Sequence, residues 1–203
     1  FLRGLVARGL HGVELVVSDS HEGLKAAIGQ ILGCPWQRCT VHFLREMLGH
    51  VRRGQQGMIA AALRQVFQAA SGEEARRVCR EVILRLEEAA PKVAALLAEA
   101  EDDLLAFYAM PVEHWSKLRS TNPLERVNRE IGRRSDVVGI FPNDDALLRL
   151  AAGVLIEQND DWLVGRRYLS EGSMALVLGR GAEEPEGAPP PPAPPVAGVI
   201  ARA

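Results

Sequence analysis

The sequence predicts an α/β fold that begins with strands and helices and continues into a long helical region, and three features support this. A run of mostly β-branched and aliphatic residues between Val13 and Val17 is typical of a buried strand. Residues 46–110 form successive amphipathic segments with helical spacing of their apolar residues and no strand pattern. Residues 179–203 are rich in proline, glycine and alanine, which predicts a disordered tail.

Residues 1–45 predict, in order, a helix, the strand described above, a second helix with Ser20 as its N-cap, and a second strand in "WQRCTVHF". The chain begins with Phe1, inside the first predicted helix. We therefore expect the sequence to be a piece of a longer protein, with earlier strands of the same sheet upstream.

The rest of the chain predicts helices whose starts are marked in the sequence. Within residues 46–110, Ser71 begins a capping box of the form S-x-x-E, and Pro91 suits the first turn of a helix. Residues 111–178 contain a loop and then the helix "NPLERVNREIGRR", with Asn122 as its predicted cap. The turn "SDVVGIFPNDD" separates it from a long helix, "ALLRLAAGVLIEQNDDW".

Charge and cysteine content exclude several classes of protein. The chain has 203 residues with 24 Lys+Arg against 26 Asp+Glu, so it has no overall positive field of the kind that attracts nucleic acid. Three cysteines do not make a disulfide framework, which favours a reducing compartment. No apolar run reaches the length of a membrane span, and no phosphate-binding glycine loop or G-x-S-x-G motif is present.

Two acidic residues are candidates for chemistry. Asp19 follows the first strand and precedes a helix, where ligands gather in α/β sheets, although it could equally be a turn aspartate that bonds its own backbone. Glu125 lies in the first turn of its helix, where it could complete a capping box or bind a metal ion. Glu130 lies five residues further along and is predicted to point elsewhere.

Cys39 and His42 have C-x-x-H spacing. A structural zinc site needs four ligands, and only this one pair is clear, so a buried cysteine beside a locally bonded histidine is the favoured interpretation. A zinc-stapled binding module remains an alternative. Four arginines lie close together on one helix and are either a solvated face or a DNA contact, and these are Arg126, Arg129, Arg133 and Arg134. Trp115 could stack on a DNA base or pack the helical insertion onto the core, and packing is the favoured interpretation.

Three segments taken together resemble one family. They are "VVSDSHEGLKAAI", "WQRCTVHFLRE" and "STNPLERVNREIGRRSDVVGIFPNDDALLRLAAGVLIEQNDDW". The chain resembles the bacterial Mutator-type insertion-sequence transposases of the DDE class over residues 1–174. The resemblance implies a partial RNase H-like core, with residues 1–45 as its first part, residues 46–110 as a helical insertion, and residues 111–178 as the last catalytic helix and the helices after it.

The resemblance also implies roles for individual residues. The family binds divalent metal with two aspartates and a glutamate, and its motifs place the second aspartate at Asp19, the glutamate at Glu125 and a Cys-x-x-His signature at Cys39 and His42. The first aspartate belongs to an earlier strand that this chain does not contain. We therefore expect an enzyme that cleaves and joins DNA with Mg²⁺ or Mn²⁺, and expect this piece alone to be inactive.

The expected partners are transposon ends, target DNA and further copies of the protein, in the bacterial cytoplasm at the nucleoid and not in a membrane. Beside a metal-binding Glu125, the arginine cluster is expected to contact the DNA backbone. The alternative is a non-catalytic remnant that binds DNA or intact transposase.

Overall fold

The computed structural model describes residues 1–164 and 168–179. In chain order the elements are α1 (Leu2–Ala7), β1 (Val16–Ser18), α2 (Glu22–Ile31), β2 (Trp36–Arg38), α3 (Thr40–Gly49), α4 (Gln56–Phe67), α5 (Gly72–Ala89), α6 (Pro91–Leu105), a 3-10 helix (Ala106–Ala109), α7 (Val112–Leu118), α8 (Asn122–Val138), α9 (Asp144–Val164) and α10 (Glu171–Leu178). This part of the chain is mostly helical. The predicted tail lies, from residue 180 on, outside the described residues.

The two strands form a small parallel sheet with α2 as their crossover. Val16 pairs with Trp36, Val17 with Gln37 and Ser18 with Arg38. Parallel strands need such a crossover because the chain must return to the same end of the sheet. The residues that follow β1 and β2 therefore meet at one edge. Two strands alone do not establish the RNase H-like core that the family resemblance implies, so that core stays a proposal.

Local boundaries differ from the prediction in two places near this sheet. The second strand ends at Arg38, and "TVHF" already belongs to α3, so the strand prediction was wrong for those residues. The cap of α2 is His21 and not Ser20, because the Nδ1 atom of His21 accepts a hydrogen bond of 3.1 Å from the Leu24 amide. A histidine ring can accept a hydrogen bond at Nδ1 as a serine hydroxyl does. Histidine is nevertheless not among the residues preferred at the N-cap, so the prediction favoured serine.

The main hydrophobic core lies among α4, α5 and α6. The Ser71 hydroxyl accepts the Glu74 amide at 3.1 Å while the Glu74 carboxylate accepts the Ala70 amide, so the predicted helix start is confirmed. Pro91 begins α6, also as predicted. From α3, Phe43 and Met47 are buried in the same core, and the predicted boundary at residue 45 therefore falls inside α3. The division into domains remains a prediction.

A buried glutamine connects the sheet to this core. Gln37 is fully buried in β2, and its side-chain amide donates to the carbonyls of Arg38 and Leu104 at 2.7 and 3.0 Å. Its side-chain oxygen accepts the Phe107 amide at 2.8 Å. These bonds fix the orientation of β2 against the end of α6, because a buried polar group left without partners is costly.

The last helices pack more loosely. Trp115 donates to the Met110 carbonyl at 2.8 Å and packs edge-on against Tyr108, which confirms its predicted role as an anchor. α8 continues four residues into the predicted turn and ends at Gly139, whose φ of 74° favours glycine. In the described part of the chain α8 buries no residue.

Candidate active site

Asp19 and Glu125 both contact the ring of His42, although 125 − 19 = 106 positions separate them in the chain. Asp19 is the first residue after β1, His42 lies in the first turn of α3, and Glu125 lies in the first turn of α8. The Asp19 Oδ1 atom is 2.6 Å from His42 Nδ1. The Glu125 Oε1 atom is 3.5 Å from His42 Nε2. The fold thus brings together the two acidic residues that were predicted from sequence.

The shorter contact is the one with Asp19. The Asp19 carboxylate lies within ion-pair distance of His42 Nδ1, at 2.6 Å, and can accept only from a nitrogen that carries a proton. The contact between His42 Nε2 and Glu125 is longer, at 3.5 Å, and is correspondingly weaker. One imidazole ring therefore lies between the two carboxylates.

Cys39 lies beneath this ring and contacts both helices of the site. Its sulfur is fully buried and lies 3.3 Å from His42 Nδ1. The backbone amide of Thr121 donates to the same sulfur at 3.4 Å, and the Thr121 hydroxyl also lies 3.4 Å from it. The Thr121 hydroxyl is also 3.2 Å from Glu125 Oε1. Cys39 and Thr121 thus connect β2 to the start of α8.

The structural alternative for Glu125 is wrong in its predicted form. Thr121, and not Asn122, is the N-cap residue of α8, and it makes no side-chain capping bond. With Thr121 as the N-cap, the third residue of the helix is Leu124, so Glu125 is one position too far along to complete a capping box. The Glu125 carboxylate is therefore directed to His42 and Thr121.

The turn alternative for Asp19 also lacks support. An Asx turn needs a bond from the aspartate side chain to the backbone two residues on. Among residues 1–164 and 168–179 no such bond is found for Asp19, and its carboxylate lies 2.6 Å from His42 Nδ1. The side chain of Asp19 is 59% exposed and open to solvent.

The carboxylates border an open cleft of about 500 Å³. Its lining comes from the end of β1, the start of α2, α3 and α8, and includes Val17, Asp19, His21, His42, Thr121, Glu125 and Asn128. Contacts within the described residues engage one oxygen of Asp19 and one of Glu125, which leaves a second oxygen on each. Mg²⁺ and Mn²⁺ take hard oxygen ligands and retain waters, so each carboxylate offers the type of donor that such an ion takes.

A zinc ion fits less well. Asp19, Cys39 and His42 offer one ligand atom each within 4.8 Å of one another, which is one ligand short of a structural tetrahedral site in the chain as described. The Cys39 sulfur already accepts from Thr121. Cys79 is buried in the helical core, where desolvation raises the pKa of its thiol to about 12, so it is not available as a thiolate.

The four arginines divide into two pairs. Arg133 donates to Glu130 at 2.7 and 2.9 Å, and Arg134 bonds Glu130 at 2.8 Å and Glu157 of α9 at 2.6 Å. Hydrogen bonds from Arg133 and Arg134 lower the pKa of the Glu130 carboxyl to about 2. These two arginines are therefore neutralised locally, and Glu130 makes no contact with the cleft.

Arg126 and Arg129 differ from that pair. Across the stretches that the structure describes, neither forms an ion pair with a carboxylate. Arg129 lies four residues after Glu125, which places the two on one face of α8. Both line a second groove, between α8 and α9, and not the cleft that Asp19 and Glu125 border.

Sequence reasoning missed Thr121 and the bridging position of His42. A threonine before Asn-Pro predicts a helix cap, and this signal alone does not indicate a bond to a distant cysteine.

Among the described helices, none combines the length and apolar character needed to cross a bilayer.

Comparison with known proteins identifies relatives over most of the chain. The family model "Transposase, Mutator family" matches residues 1–165. The transposase for insertion sequence element IS1081 of Mycobacterium tuberculosis is 43% identical over 190 residues, which is 91% of this chain and 45% of the relative. The transposase for IS406 of Burkholderia multivorans is 40% identical over 173 residues, 84% of this chain and 44% of the relative.

A more distant relative gives the same result. The transposase for IS256 in transposon Tn4001 of Staphylococcus aureus is 33% identical over 174 residues, again 84% of this chain and 44% of the relative. The chain thus spans less than half the length of these curated relatives. The family match covers most of the chain and includes every residue of the candidate site, and the chain accordingly belongs to the Mutator family of transposases.

Proposed function

We propose that this chain is part of the catalytic region of a DDE transposase, which cleaves and joins DNA at insertion-sequence ends with Asp19 and Glu125 as metal ligands. The observation that carries the proposal is the contact of both carboxylates with the two nitrogens of His42, at 2.6 and 3.5 Å. Both carboxylates border one open cleft, at the end of a strand and at the start of a helix, and carboxylate oxygens are donors that divalent ions take.

The proposed ion is Mg²⁺, with Mn²⁺ as a substitute. Bound divalent ions stabilise the charge that develops on phosphoryl oxygens and lower the pKa of an attacking water. The chain's own residues hold such ions in place: Asp19 at the end of β1, and Glu125 at the N-terminus of α8, where the helix dipole favours a carboxylate. The RNase H-like arrangement of this core, with residues 46–110 as its helical insertion, is part of the proposal.

The proposed substrate is DNA, bound in part by Arg126 and Arg129. Both arginines are without carboxylate partners in residues 1–164 and 168–179, and Arg129 shares a face with Glu125. Arginine contacts to phosphate give salt-sensitive affinity that does not depend on sequence. Arg133 and Arg134 also belong to the expected DNA-binding cluster. Their ion pairs with Glu130 and Glu157 would have to break or be shared before these arginines could contact phosphate.

The DDE class uses a third carboxylate, and Asp19 and Glu125 are the two carboxylates among the described residues of the cleft. We propose that the third comes from outside this chain in the complete protein and that the chain by itself does not turn over. Assembly of several copies on DNA is likewise proposed. A remnant that binds DNA without cleaving it is the competing function, and the experiment below distinguishes the two.

The test compares Asp19→Asn and Glu125→Gln with Glu130→Gln in the complete protein. Both site variants remove charge without changing shape, so cleavage of an insertion-sequence end in Mg²⁺ is expected to fall by at least about 10²–10³-fold. Glu130→Gln is the matched control because it lies on the same helix, away from the cleft. Circular dichroism checks that each variant is folded.

The proposal is wrong if folded Asp19→Asn and Glu125→Gln cleave as the parent does, or if Glu130→Gln is the variant that abolishes cleavage. Binding to insertion-sequence DNA with no cleavage by the parent in Mg²⁺ or Mn²⁺ would support the remnant.

A further inference from the structure

We infer that Cys39, His42 and Thr121 are positioning residues, which fix the separation between the metal-binding carboxylates of Asp19 and Glu125. This inference rests on the proposed function, since it concerns how the two carboxylates are held. None of the three residues is proposed to contact the DNA or the reacting atoms.

The contacts form a closed ring of side chains. His42 Nε2 lies 3.5 Å from Glu125 Oε1, which lies 3.2 Å from the Thr121 hydroxyl. That hydroxyl lies 3.4 Å from the Cys39 sulfur, and the sulfur lies 3.3 Å from His42 Nδ1. Asp19 joins the ring at Nδ1. Movement of Glu125 relative to Asp19 therefore requires that several of these contacts change together.

The ring is anchored to backbone on two sides. The Cys39 amide donates to the Ser18 carbonyl at 2.8 Å, which fixes the end of β2 to the end of β1 beside Asp19. The amide and the hydroxyl of Thr40 both donate to the Arg119 carbonyl at 2.9 Å, which fixes α3 to the segment before α8. The carboxylates themselves lie on an exposed edge, so this anchoring is their support.

A sulfur atom suits the central position. Contacts of 3.3 to 3.4 Å are ordinary for sulfur, whereas hydroxyl hydrogen bonds have lengths of about 2.5–3.0 Å. A serine at position 39 would leave His42 and Thr121 too distant to bond simultaneously. The geometry therefore explains a cysteine here without a metal on its sulfur.

Thr121 gives the sharpest test because its side chain has no other task in the described structure. It is the N-cap residue of α8 but makes no side-chain capping bond, and its hydroxyl contacts Cys39 and Glu125. Thr121→Val keeps the shape and removes both contacts. Thr121→Ser keeps the hydroxyl and is the matched conservative control.

The experiment measures Mn²⁺ binding to the complete protein by electron paramagnetic resonance, with an Asp19→Asn/Glu125→Gln double variant as baseline. Loss of a residue that orients a metal ligand typically weakens metal affinity by about 10–100-fold. We expect Thr121→Val to bind Mn²⁺ at least about 10-fold more weakly and to need correspondingly more Mg²⁺ for half-maximal cleavage. Thr121→Ser is expected to stay close to the parent, and thermal unfolding is expected to be similar for both.

A second variant protects the test against misfolding. His42→Asn keeps a donor close to the Nδ1 position for Asp19 and removes the atom that faces Glu125. His42→Asn is expected to weaken Mn²⁺ binding in the same way. If Thr121→Val does not fold, the result with His42→Asn tests the positioning inference.

The outcomes separate this inference from the proposed function. If Thr121→Val and His42→Asn bind Mn²⁺ and respond to Mg²⁺ as the parent does, while the double variant has lost both, the positioning inference is wrong and the proposed function stands. If the double variant keeps Mn²⁺ binding and cleavage, the proposed function itself fails. Equal losses in Thr121→Val and Thr121→Ser would also overturn the inference, because the hydroxyl would then be irrelevant.

Discussion

The bundle α4–α6 and the pair α8–α9 are both helical, but they are stabilised in opposite ways. α6 alone buries six residues and α5 buries four, so the bundle has a dry apolar core. In the described structure α8 buries none and α9 buries only Val154. Among the described residues, one ion pair, Arg134 with Glu157, joins the two helices of the second pair.

The difference shows where stability and function are separated in this chain. Burial of apolar area contributes most of the free energy of folding, so the bundle is the stable part. The α8 helix buries no side chain in the described structure, so it gains little from apolar burial, but Glu125 and two arginines stay accessible. Three predictions test this contrast, from the largest expected effect to the smallest.

The first prediction compares the same substitution in the two regions. Leu97 of α6 is fully buried, and Leu97→Ala is expected to lower the free energy of unfolding by about 2–5 kcal/mol because it leaves a cavity. Leu148 of α9 is 64% exposed, and Leu148→Ala is expected to change it by less than about 0.5 kcal/mol. Urea unfolding measures both. Similar losses in the two variants would mean that the contrast between the regions is wrong.

The second prediction concerns the link between the sheet and the bundle. Gln37→Leu keeps the size of the side chain but leaves the Leu104 carbonyl and the Phe107 amide without a partner, at a cost of about 1–3 kcal/mol for each buried group. Gln30→Leu, at an exposed position of α2, is the matched control and is expected to change stability by less than about 0.5 kcal/mol. Equal unfolding midpoints for the two variants would contradict the role assigned to Gln37.

The third prediction tests the ion pairs of α8 by pH. Arg133 and Arg134 lower the pKa of Glu130 to about 2, so their stabilising contribution is complete above the ordinary glutamate pKa and is lost as pH falls toward about 2. Since the carboxylate is exposed, we expect a small effect on stability and a clear one on titration. Carboxyl NMR shifts are expected to show Glu130 titrating near pH 2 in the parent and at higher pH in Arg133→Gln.

Arg149→Gln is the control for this titration, because Arg149 is an exposed arginine of α9 that does not contact Glu130. A Glu130 that titrates like an ordinary glutamate in the parent would show that the ion pairs do not persist in solution.

Local signals in the sequence determined the helix starts at Ser71 and Pro91, because capping involves neighbours within a few residues. The Glu74 carboxylate accepts the Ala70 amide and not the Ser71 amide of an ideal capping box. Local signals left the roles of Asp19 and Glu125 open, and the family resemblance singled them out. At the start of α2 the cap preference for serine gave the wrong residue, because the ring of His21 accepts the Leu24 amide. The family resemblance was also available from sequence and is confirmed by the match over residues 1–165.

Only the tertiary structure decided how the site is assembled. Asp19, His42 and Glu125 come from three elements, and their approach depends on the parallel pairing of β1 with β2 and on the Thr40 bonds to Arg119. The division of the arginines into paired and unpaired sets likewise depends on where α9 places Glu157. Residue patterns report local spacing along the chain, whereas these contacts arise from long-range packing, and that physical difference is why the candidates could be chosen from sequence but their arrangement could not.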